Sequence, residues 1–330
     1  VGKGCSIIFS NSYGHQTFMA QAAEQFPDVT FVSMTGDFAA VSGIANLKNA
    51  FTSVYQARYV SGVVAGMKVK ELVESGTLTK DTQPGSFDDQ GRVKIGYVGA
   101  FNYAEVVSGY TAFFLGIRSV YPDVVMEVNY TNSWFDIDKE AAAAEALIAN
   151  GCVIIGQHAD STGAPAATEK LLNSGKICYS VGYNIDMLPT APNAALTSPC
   201  NHWDVYYKYA MDAAMKGNEI KVDWSEGYET GAVGITPLGS ACAAGTAEKV
   251  AEVEAALKNG SLKVFDTNTF TVGGKKLESY PVDLSFIDFS TMTTVYQGET
   301  VEPIVNGAFE ESTFRSAPYF TVRIDDIIEK

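Results

Sequence analysis

Residues 139–163 read KEAAAAEALIANGCVIIGQHADSTG and contain one complete step from helix to strand to loop. The alanine-rich run 139–150 predicts a helix, and Gly151 directly after it is a typical helix stop signal. The strand predicted at 153–157 begins with a continuous apolar run instead of alternating apolar and polar residues. Such strands are typical of parallel sheets that helices cover on both faces. The stretch therefore predicts an α/β fold.

The same alternation of strands and helices extends to both sides of this stretch. Strands are predicted at residues 7–9, 31–34, 93–98, 124–130, 153–157, 177–181 and 194–197. Helices are predicted at residues 15–26, 55–73, 106–120, 139–150, 164–173 and 203–215. Strands that alternate with helices of this length build parallel sheets from βαβ units.

Two local patterns add detail to this plan. Small residues on the helix at 55–73, namely Gly62, Ala65 and Gly66, predict that it packs closely against a neighbouring element. From about Asp223 the alternation of strands and helices stops. The rest of the sequence contains one isolated predicted helix at 247–259 and a tail rich in Thr, Tyr, Phe and Gly. We interpret this part as an α+β extension, with a hairpin predicted around 272–275.

Composition limits the class of protein. At about 150 residues per domain, 330 residues predict two domains. A hydrophobic fraction of 46% with only 18% charged residues is enough apolar material for a packed core. The net charge of −15 argues against nucleic acid as a partner, because a polyanion would be repelled. The sequence lacks an apolar run of about 18 residues, so no membrane-spanning helix is predicted.

The loops after the predicted strands contain most of the side chains that could bind a ligand. In open parallel sheets, ligands bind beyond the carboxyl ends of the strands. These loops are 10–14, 35–38, 100–105, 131–136, 157–163, 182–187 and 198–203. They combine large aromatic rings, which can stack on a planar ligand, with Asn, Ser and Asp side chains for its polar edge. This composition suits a small, flat, polar molecule such as a nucleobase or nucleoside.

Simpler interpretations of the same loops stay open. Asp136, Ser161 or Thr162, and Asn201 each precede a predicted helix and suit its N-cap. The three aspartates Asp136, Asp160 and Asp186 all follow strands, which also permits a Mg²⁺ site.

The five cysteines are odd in number and widely spaced, so neither a zinc site nor a disulfide framework is predicted. Phosphate-loop, nucleophile-elbow and HExxH motifs are absent, and no catalytic residues, metal or cofactor are predicted.

Several segments resemble the basic membrane protein family, the extracytoplasmic substrate-binding lipoproteins of ABC importers of the purine nucleoside receptor type. The strongest are Asn132-Ser133-Trp134-Phe135-Asp136, followed by Lys139-Glu140, and Gly156-Gln157-His158-Ala159-Asp160-Ser161. Further similar segments are 26–31, 55–62, 94–98, 105–107, 186–187 and 201–203. They occur in the family's order over about residues 1–240.

The resemblance implies a type I periplasmic-binding-protein fold, with two doubly wound lobes joined by a hinge and the ligand captured between them by closure. Lobe 1 is expected at 1–56 and about 198–240. Lobe 2 is expected at 57–197 with part of 241–330, which also holds the C-terminal extension. Family members begin with a βαβα unit of roughly 60 residues. Because Gly4–Phe9 corresponds to the second family strand, that first unit is expected to be missing and one strand edge of lobe 1 unpaired.

The resemblance also implies the function and the ligand contacts. Such a protein binds a purine nucleoside or nucleobase and delivers it to a membrane permease; it is not an enzyme, and we expect a monomer. It is extracytoplasmic, either periplasmic or a lipoprotein anchored to the cell membrane. The alternatives are a sugar or other small solute on the same fold, a nucleoside hydrolase that uses the aspartates, and a ligand-sensing surface protein. The implied contacts, with Asp186 assigned to sugar hydroxyls, are Ser12, Tyr13, Phe101, Glu105, Trp134, Asp136, His158, Asp160, Tyr183, Asp186 and Trp203.

Overall fold

The computed structural model describes residues 1–288 and 291–330. Its helices are α1 (Gln16–Gln25), α2 (Ala39–Ser42), α3 (Val54–Glu74), α4 (Ala104–Arg118), α5 (Ile137–Ala149), α6 (Gly163–Asn173), α7 (Trp203–Lys216) and α8 (Thr246–Lys258). Short 3-10 turns occur at Tyr13–His15 and Pro84–Ser86. Within these described ranges, no helix has the length and apolar character that a membrane crossing requires.

The strands of the first two-thirds follow the predicted plan to within a few residues. They are β1 (Ile7–Asn11), β2 (Thr30–Met34), β3 (Leu47–Ala50), β4 (Val93–Gly99), β5 (Val124–Tyr130), β6 (Ile154–Gln157), β7 (Tyr179–Val181), β8 (Ala195–Thr197), β9 (Pro199–Asn201) and β10 (Asp223–Trp224). Strands β3, β9 and β10 were not predicted. In β3, Lys48 and Asn49 interrupt the apolar pattern even though both side chains are buried. Strands β9 and β10 have only three and two residues, which is too short for a periodic signal.

The tail is an α+β extension, as predicted. Its strands are short: β11 (Val233–Ile235), β12 (Val282–Asp283), β13 (Phe286–Asp288), β14 (Thr293–Tyr296), β15 (Thr300–Val301), β16 (Ile304–Val305), β17 (Ala308–Phe309) and β18 (Ile327–Glu329). The predicted turn at 272–275 is present, since Val272 and Lys275 pair across Gly273 and Gly274. Both glycines have positive φ, which this tight turn requires.

The chain divides into two compact units. Unit 1 contains residues 1–53, 202–232 and 278–320, and unit 2 contains residues 54–201, 233–277 and 321–330. The lobe boundaries expected from the resemblance stay a prediction.

Unit 1 is built on a four-stranded parallel sheet with the order β1-β2-β3-β10. One core cluster joins Val32 and Met34 of β2 to Tyr206 of α7 and to Trp224. A second cluster joins Phe31, on the opposite side of β2, to α1 and α2. Helices therefore cover both faces of this sheet. Strands β1 and β10 are the two edges of this sheet among the described strands.

Unit 2 contains a six-stranded, all-parallel sheet with the order β18-β5-β4-β6-β7-β8. Neighbouring residues of β4 show that both of its faces are covered. Val98 packs in a cluster with Leu147 of α5 and Ala164 of α6, whereas the Tyr97 ring contacts Phe113 of α4 at 5.6 Å. Since successive strand residues point to opposite faces, helices flank the sheet on both sides. The α/β fold class predicted from residues 139–163 is confirmed.

Helices α3 and α4 approach each other at two glycines. A Cβ atom built on Gly62 would lie 2.1 Å from the carbonyl oxygen of Phe113, and one on Gly116 would lie 2.1 Å from that of Tyr59. Only glycine permits this backbone contact without displacement of the helices. The close packing predicted from the small residues of this helix is therefore confirmed.

Candidate functional site

The strand order of unit 2 brings four of the predicted ligand loops to one edge. Strands β5, β4, β6 and β7 are neighbours and parallel, so their carboxyl ends lie side by side. The loops that follow these ends carry Trp134, Phe101, Asp160 and Tyr183. Residues that are far apart in the chain are thereby collected at the edge where open α/β sheets bind ligands.

Aromatic rings from these loops form a continuous group, which we call the ring cluster: Phe101, Tyr103, Trp134, His158 and Tyr183. The Phe101 and Tyr103 rings stack with centroids 5.3 Å apart and an interplanar angle of 14°. Trp134 lies 5.2 Å from Phe101 and 6.2 Å from His158, and His158 lies 5.2 Å from Tyr183. Phe101, Tyr103 and Trp134 are half-buried, so part of each remains available to a ligand.

His158 is a fully buried member of the ring cluster. Its Nε2 lies 3.1 Å from Oε1 of Glu105 at the start of α4. Burial, followed by the positive charge of Arg58, lowers the pKa of His158 to about 4, so the imidazole is neutral at pH 7. A carboxylate can only accept a hydrogen bond, so Nε2 carries the ring proton and its N–H donates a hydrogen bond to Oε1 of Glu105. His158 thereby orients a carboxylate that is itself partly exposed.

Arg58 is a charged residue of this region that the sequence analysis did not select. It lies on the buried face of α3, with its Cζ 3.8 Å from the centroid of the Tyr183 ring. Its Nη1 donates to the Tyr97 hydroxyl oxygen at 3.0 Å and to the Gln157 carbonyl oxygen at 2.5 Å. A buried guanidinium over an aromatic face gains a cation–π attraction. The signal in the sequence was a lone arginine among the apolar residues of the predicted helix 55–73.

Asp160 brings a second carboxyl group to this edge. Its backbone N–H donates to the Trp134 carbonyl oxygen at 2.7 Å, which ties the loop after β6 to the loop after β5. Its side chain keeps solvent-exposed surface. Partial burial, followed by the negative charge of Glu105, raises the pKa of Asp160 to about 6, and Arg58 opposes this shift. The Asp160 carboxyl group is therefore poised to change charge close to neutral pH.

This raised pKa predicts a specific pH dependence of stability. The folded state favours protonated Asp160, so its contribution to the free energy of unfolding falls as the pH rises from about 4 to about 6. In Asp160→Asn that dependence is removed. We expect the stability of the variant relative to the wild type to increase over this interval and then to become constant. Urea unfolding of both proteins at several pH values between about 4 and about 7 measures this difference in the free energy of unfolding. A difference that does not vary with pH would contradict the raised pKa.

Two predicted contacts of unit 2 have local structural partners. Asp136 is the N-cap of α5, and its Oδ1 accepts from the Lys139 backbone N–H at 3.0 Å, as in the capping alternative. Asp186 is exposed, and its Oδ1 accepts from the Leu188 backbone N–H at 2.9 Å. The second carboxylate oxygen of Asp136, Oδ2, lies 3.3 Å from Nζ of Lys139. The ligand roles of Asp136 and Asp186 stay predictions.

The remaining three predicted contacts belong to unit 1. Ser12 and Tyr13 follow β1, and the Tyr13 hydroxyl donates to Oδ2 of Asp37 at 3.5 Å. Trp203 begins α7 and packs against the core cluster around Tyr206. The structure thus brings together Phe101, Glu105, Trp134, His158, Asp160 and Tyr183 within unit 2. The ligand roles of Ser12, Tyr13 and Trp203 stay predictions.

The Mg²⁺ alternative finds no geometric support. Among the residues that the structure describes, no three His, Cys, Asp or Glu side chains form a group that could hold a metal ion. Asp136, Asp160 and Asp186 therefore do not converge as a set of metal ligands. The five cysteines are all free thiols in the same described ranges.

Comparisons with curated proteins point to one family. Residues 2–267 match a family model described as Bmp, the PnrA-like ABC transporter substrate-binding protein. A purine-binding protein of Brucella abortus (strain 2308) is 34% identical over 267 residues, which are 79% of this chain and 66% of that protein. A putative ABC transporter glucose-binding protein of Haloferax volcanii is 29% identical over 294 residues, 89% of this chain and 66% of that protein. The chain thus spans just under two thirds of the length of these relatives.

Comparison with solved structures shows the fold. A solute-binding protein of an ABC transporter system from Aeropyrum pernix K1 superposes with a TM-score of 0.64 at 14% identity, covering 82% of this chain and 78% of that one. One from Conexibacter woesei DSM 14684 superposes with a TM-score of 0.56 at 18% identity, covering 79% and 80%. The fold implied by the resemblance, the type I periplasmic-binding-protein fold, is confirmed. From the family match over residues 2–267, the chain belongs to the Bmp family of PnrA-like ABC transporter substrate-binding proteins.

Proposed function

We propose that this protein is the substrate-binding protein of an ABC importer and that it binds a purine nucleobase or nucleoside at the ring cluster of unit 2. The observation that carries the proposal is the group of half-buried rings, Phe101, Tyr103 and Trp134, next to the carboxyl groups of Glu105 and Asp160. Flat rings stack on a heterocycle, and carboxylates accept hydrogen bonds from its N–H groups. The purine-binding relative from Brucella abortus supports the same ligand class.

The location and the partner are parts of the same proposal. A substrate-binding protein of an importer works outside the cytoplasm and delivers its ligand to a membrane permease. We therefore propose an extracytoplasmic location, with a lipid anchor and a permease partner as the family resemblance implies. Capture of the ligand by closure of two lobes stays a prediction. The family consists of substrate-binding proteins, which supports the prediction that the chain is not an enzyme.

A sugar is the second candidate ligand, because the Haloferax volcanii relative is named as a putative glucose-binding protein. Aromatic rings also stack on the apolar face of a sugar, and carboxylates accept from its hydroxyl groups. The ring cluster alone is compatible with both ligands. We place the purine first because the relative named as a purine-binding protein is 34% identical to this chain, whereas the relative named as a putative glucose-binding protein is 29% identical.

Isothermal titration calorimetry tests the ligand class. The protein is unfolded and refolded to remove bound ligand, and is then titrated with adenosine, guanosine, inosine, adenine and glucose. We expect saturable one-to-one binding of at least one purine and no heat with glucose. Binding of glucose alone would replace the purine proposal with the sugar. Chromatography of adenosine, guanosine and inosine after incubation with the protein and Mg²⁺ serves as a control, because release of free base would identify a hydrolase.

A further inference from the structure

Residues 321–330 lie beyond the family match, and β18 within them forms one edge of the sheet that carries the ring cluster. Strand β18 pairs in parallel with β5, in the register Ile327 with Met126 and Glu329 with Val128. Ion pairs fasten both ends of the strand. At its start, Asp326 Oδ1 lies 2.5 Å from Nη1 of Arg92, and at its end Lys330 Nζ lies 2.5 Å from Oε2 of Glu127. The C-terminal segment is therefore an integral part of unit 2.

The Glu329 carboxylate links the body of unit 2 to Arg323 of the C-terminal segment. The hydroxyl groups of Tyr110 and Tyr130 both donate to its Oε1, the second at 2.8 Å. Tyr110 is buried on α4, and Tyr130 is the last residue of β5. The same Oε1 lies 2.9 Å from Nε of Arg323. Two tyrosines from the body of unit 2 thus fix a carboxylate that in turn holds an arginine.

Arg323 connects the Glu329 carboxylate to the ligand loop. Its Nη2 donates to Oδ1 of Asn102 at 2.5 Å, and its Nη1 donates to the Thr321 carbonyl oxygen at 2.9 Å. Each of the three guanidinium nitrogen atoms therefore has a different acceptor. Because the guanidinium is planar, it fixes the positions of the three acceptors relative to one another. Asn102 lies between Phe101 and Tyr103 in the chain, and the rings of these two neighbours stack on each other.

We propose that Arg323 is a positioning residue of the ligand site, which holds the Phe101–Tyr103 ring pair in place through Asn102; its effect on affinity rests on the proposed function. Loop side chains that are ordered before binding lose less conformational freedom when a ligand arrives. Arg323 need not touch the ligand to act in this way. The proposal also gives the C-terminal extension a role, since the arginine and its anchor both lie outside the family match.

The test uses the full chain with two single substitutions. Arg323→Ala removes the contact with Asn102. The matched control Lys330→Ala removes a similarly exposed charge of the same segment, which bonds Glu127 instead of the loop. Hydrogen–deuterium exchange of the peptide covering residues 99–106 reports on loop order without any ligand. Calorimetry with adenosine, guanosine and inosine reports on affinity.

We expect faster exchange in this peptide and an affinity about threefold to tenfold weaker in Arg323→Ala, with neither change in Lys330→Ala. Unchanged exchange in Arg323→Ala overturns the proposal, and so does an equal change in the control, because that would reflect general loosening of β18. In a double-mutant cycle, Asn102→Ala should remove most of the effect of Arg323→Ala. If the wild type binds neither these three nucleosides nor adenine, the proposed function fails, and the exchange measurement still decides the role of Arg323.

Discussion

Replacement of Gly62 by alanine is expected to lower the free energy of unfolding by about 3 kcal/mol. The new Cβ would lie 2.1 Å from the Phe113 carbonyl oxygen and 3.1 Å from the Gly116 Cα, both of them backbone atoms of α4. Backbone atoms of a packed helix cannot rotate aside as a side chain can. Helices α3 and α4 must therefore separate, which loosens the buried contacts on both sides of the crossing.

Urea unfolding measured by circular dichroism tests this expectation. The matched control is Gly85→Ala, since a Cβ at Gly85 meets open space within 4 Å and its φ is not positive. The control should stay within about 1 kcal/mol of the wild type. A Gly62→Ala variant as stable as the control would show that the two helices do not pack through this glycine.

Replacement of Trp134 by alanine is expected to weaken purine binding by about fivefold to about 150-fold. Stacking of one base on an aromatic side chain contributes about 1–3 kcal/mol, and each 1.4 kcal/mol corresponds to about tenfold in affinity. Trp134 lies 5.2 Å from Phe101 and within 6.2 Å of both Tyr103 and His158. Its removal therefore deletes a stacking surface and also leaves its neighbouring rings less well supported.

Calorimetry with the best-binding purine measures the loss, and two variants serve as controls. Trp134→Phe keeps a ring at this position and should recover most of the affinity. Phe135→Ala removes the adjacent aromatic residue, which is 63% exposed, and should leave the affinity unchanged. Equal losses in Trp134→Ala and Phe135→Ala would contradict stacking on Trp134. Retained affinity in Trp134→Ala would place the purine elsewhere.

Much of the site in unit 2 could be predicted because parallel strands collect their following loops at one edge. Once the strands ending near Val98, Tyr130, Gln157 and Val181 are recognised, Trp134, His158 and Tyr183 are expected at the same edge of the sheet. Arg58 lies on a helix, outside the loops that this rule covers. Tyr103 lies in a recognised loop, yet a loop sequence does not specify which of its rings stack.

The order of the strands could not be obtained from local patterns. Strand β18 was not predicted, because three residues, Ile327–Glu329, are too short for a periodic signal, and their partner β5 is about 200 residues earlier. The contact of Arg323 with Asn102 depends on that pairing. Likewise, nothing in the sequence separates the buried His158, which bonds Glu105, from the partly exposed Asp160 two residues later.

The amino-acid sequence by itself determined the α/β class, the positions of most helices and strands in the first two-thirds, and the family. These properties depend on local periodicity, on stop signals such as Gly151 and on the order of segments along the chain. Only the tertiary structure decided which carboxyl groups and rings become neighbours, which of them are buried, and how the C-terminal strand reaches the ligand loop. Burial and neighbouring charge, which set the pKa values of His158 and Asp160, arise only when distant strands pair.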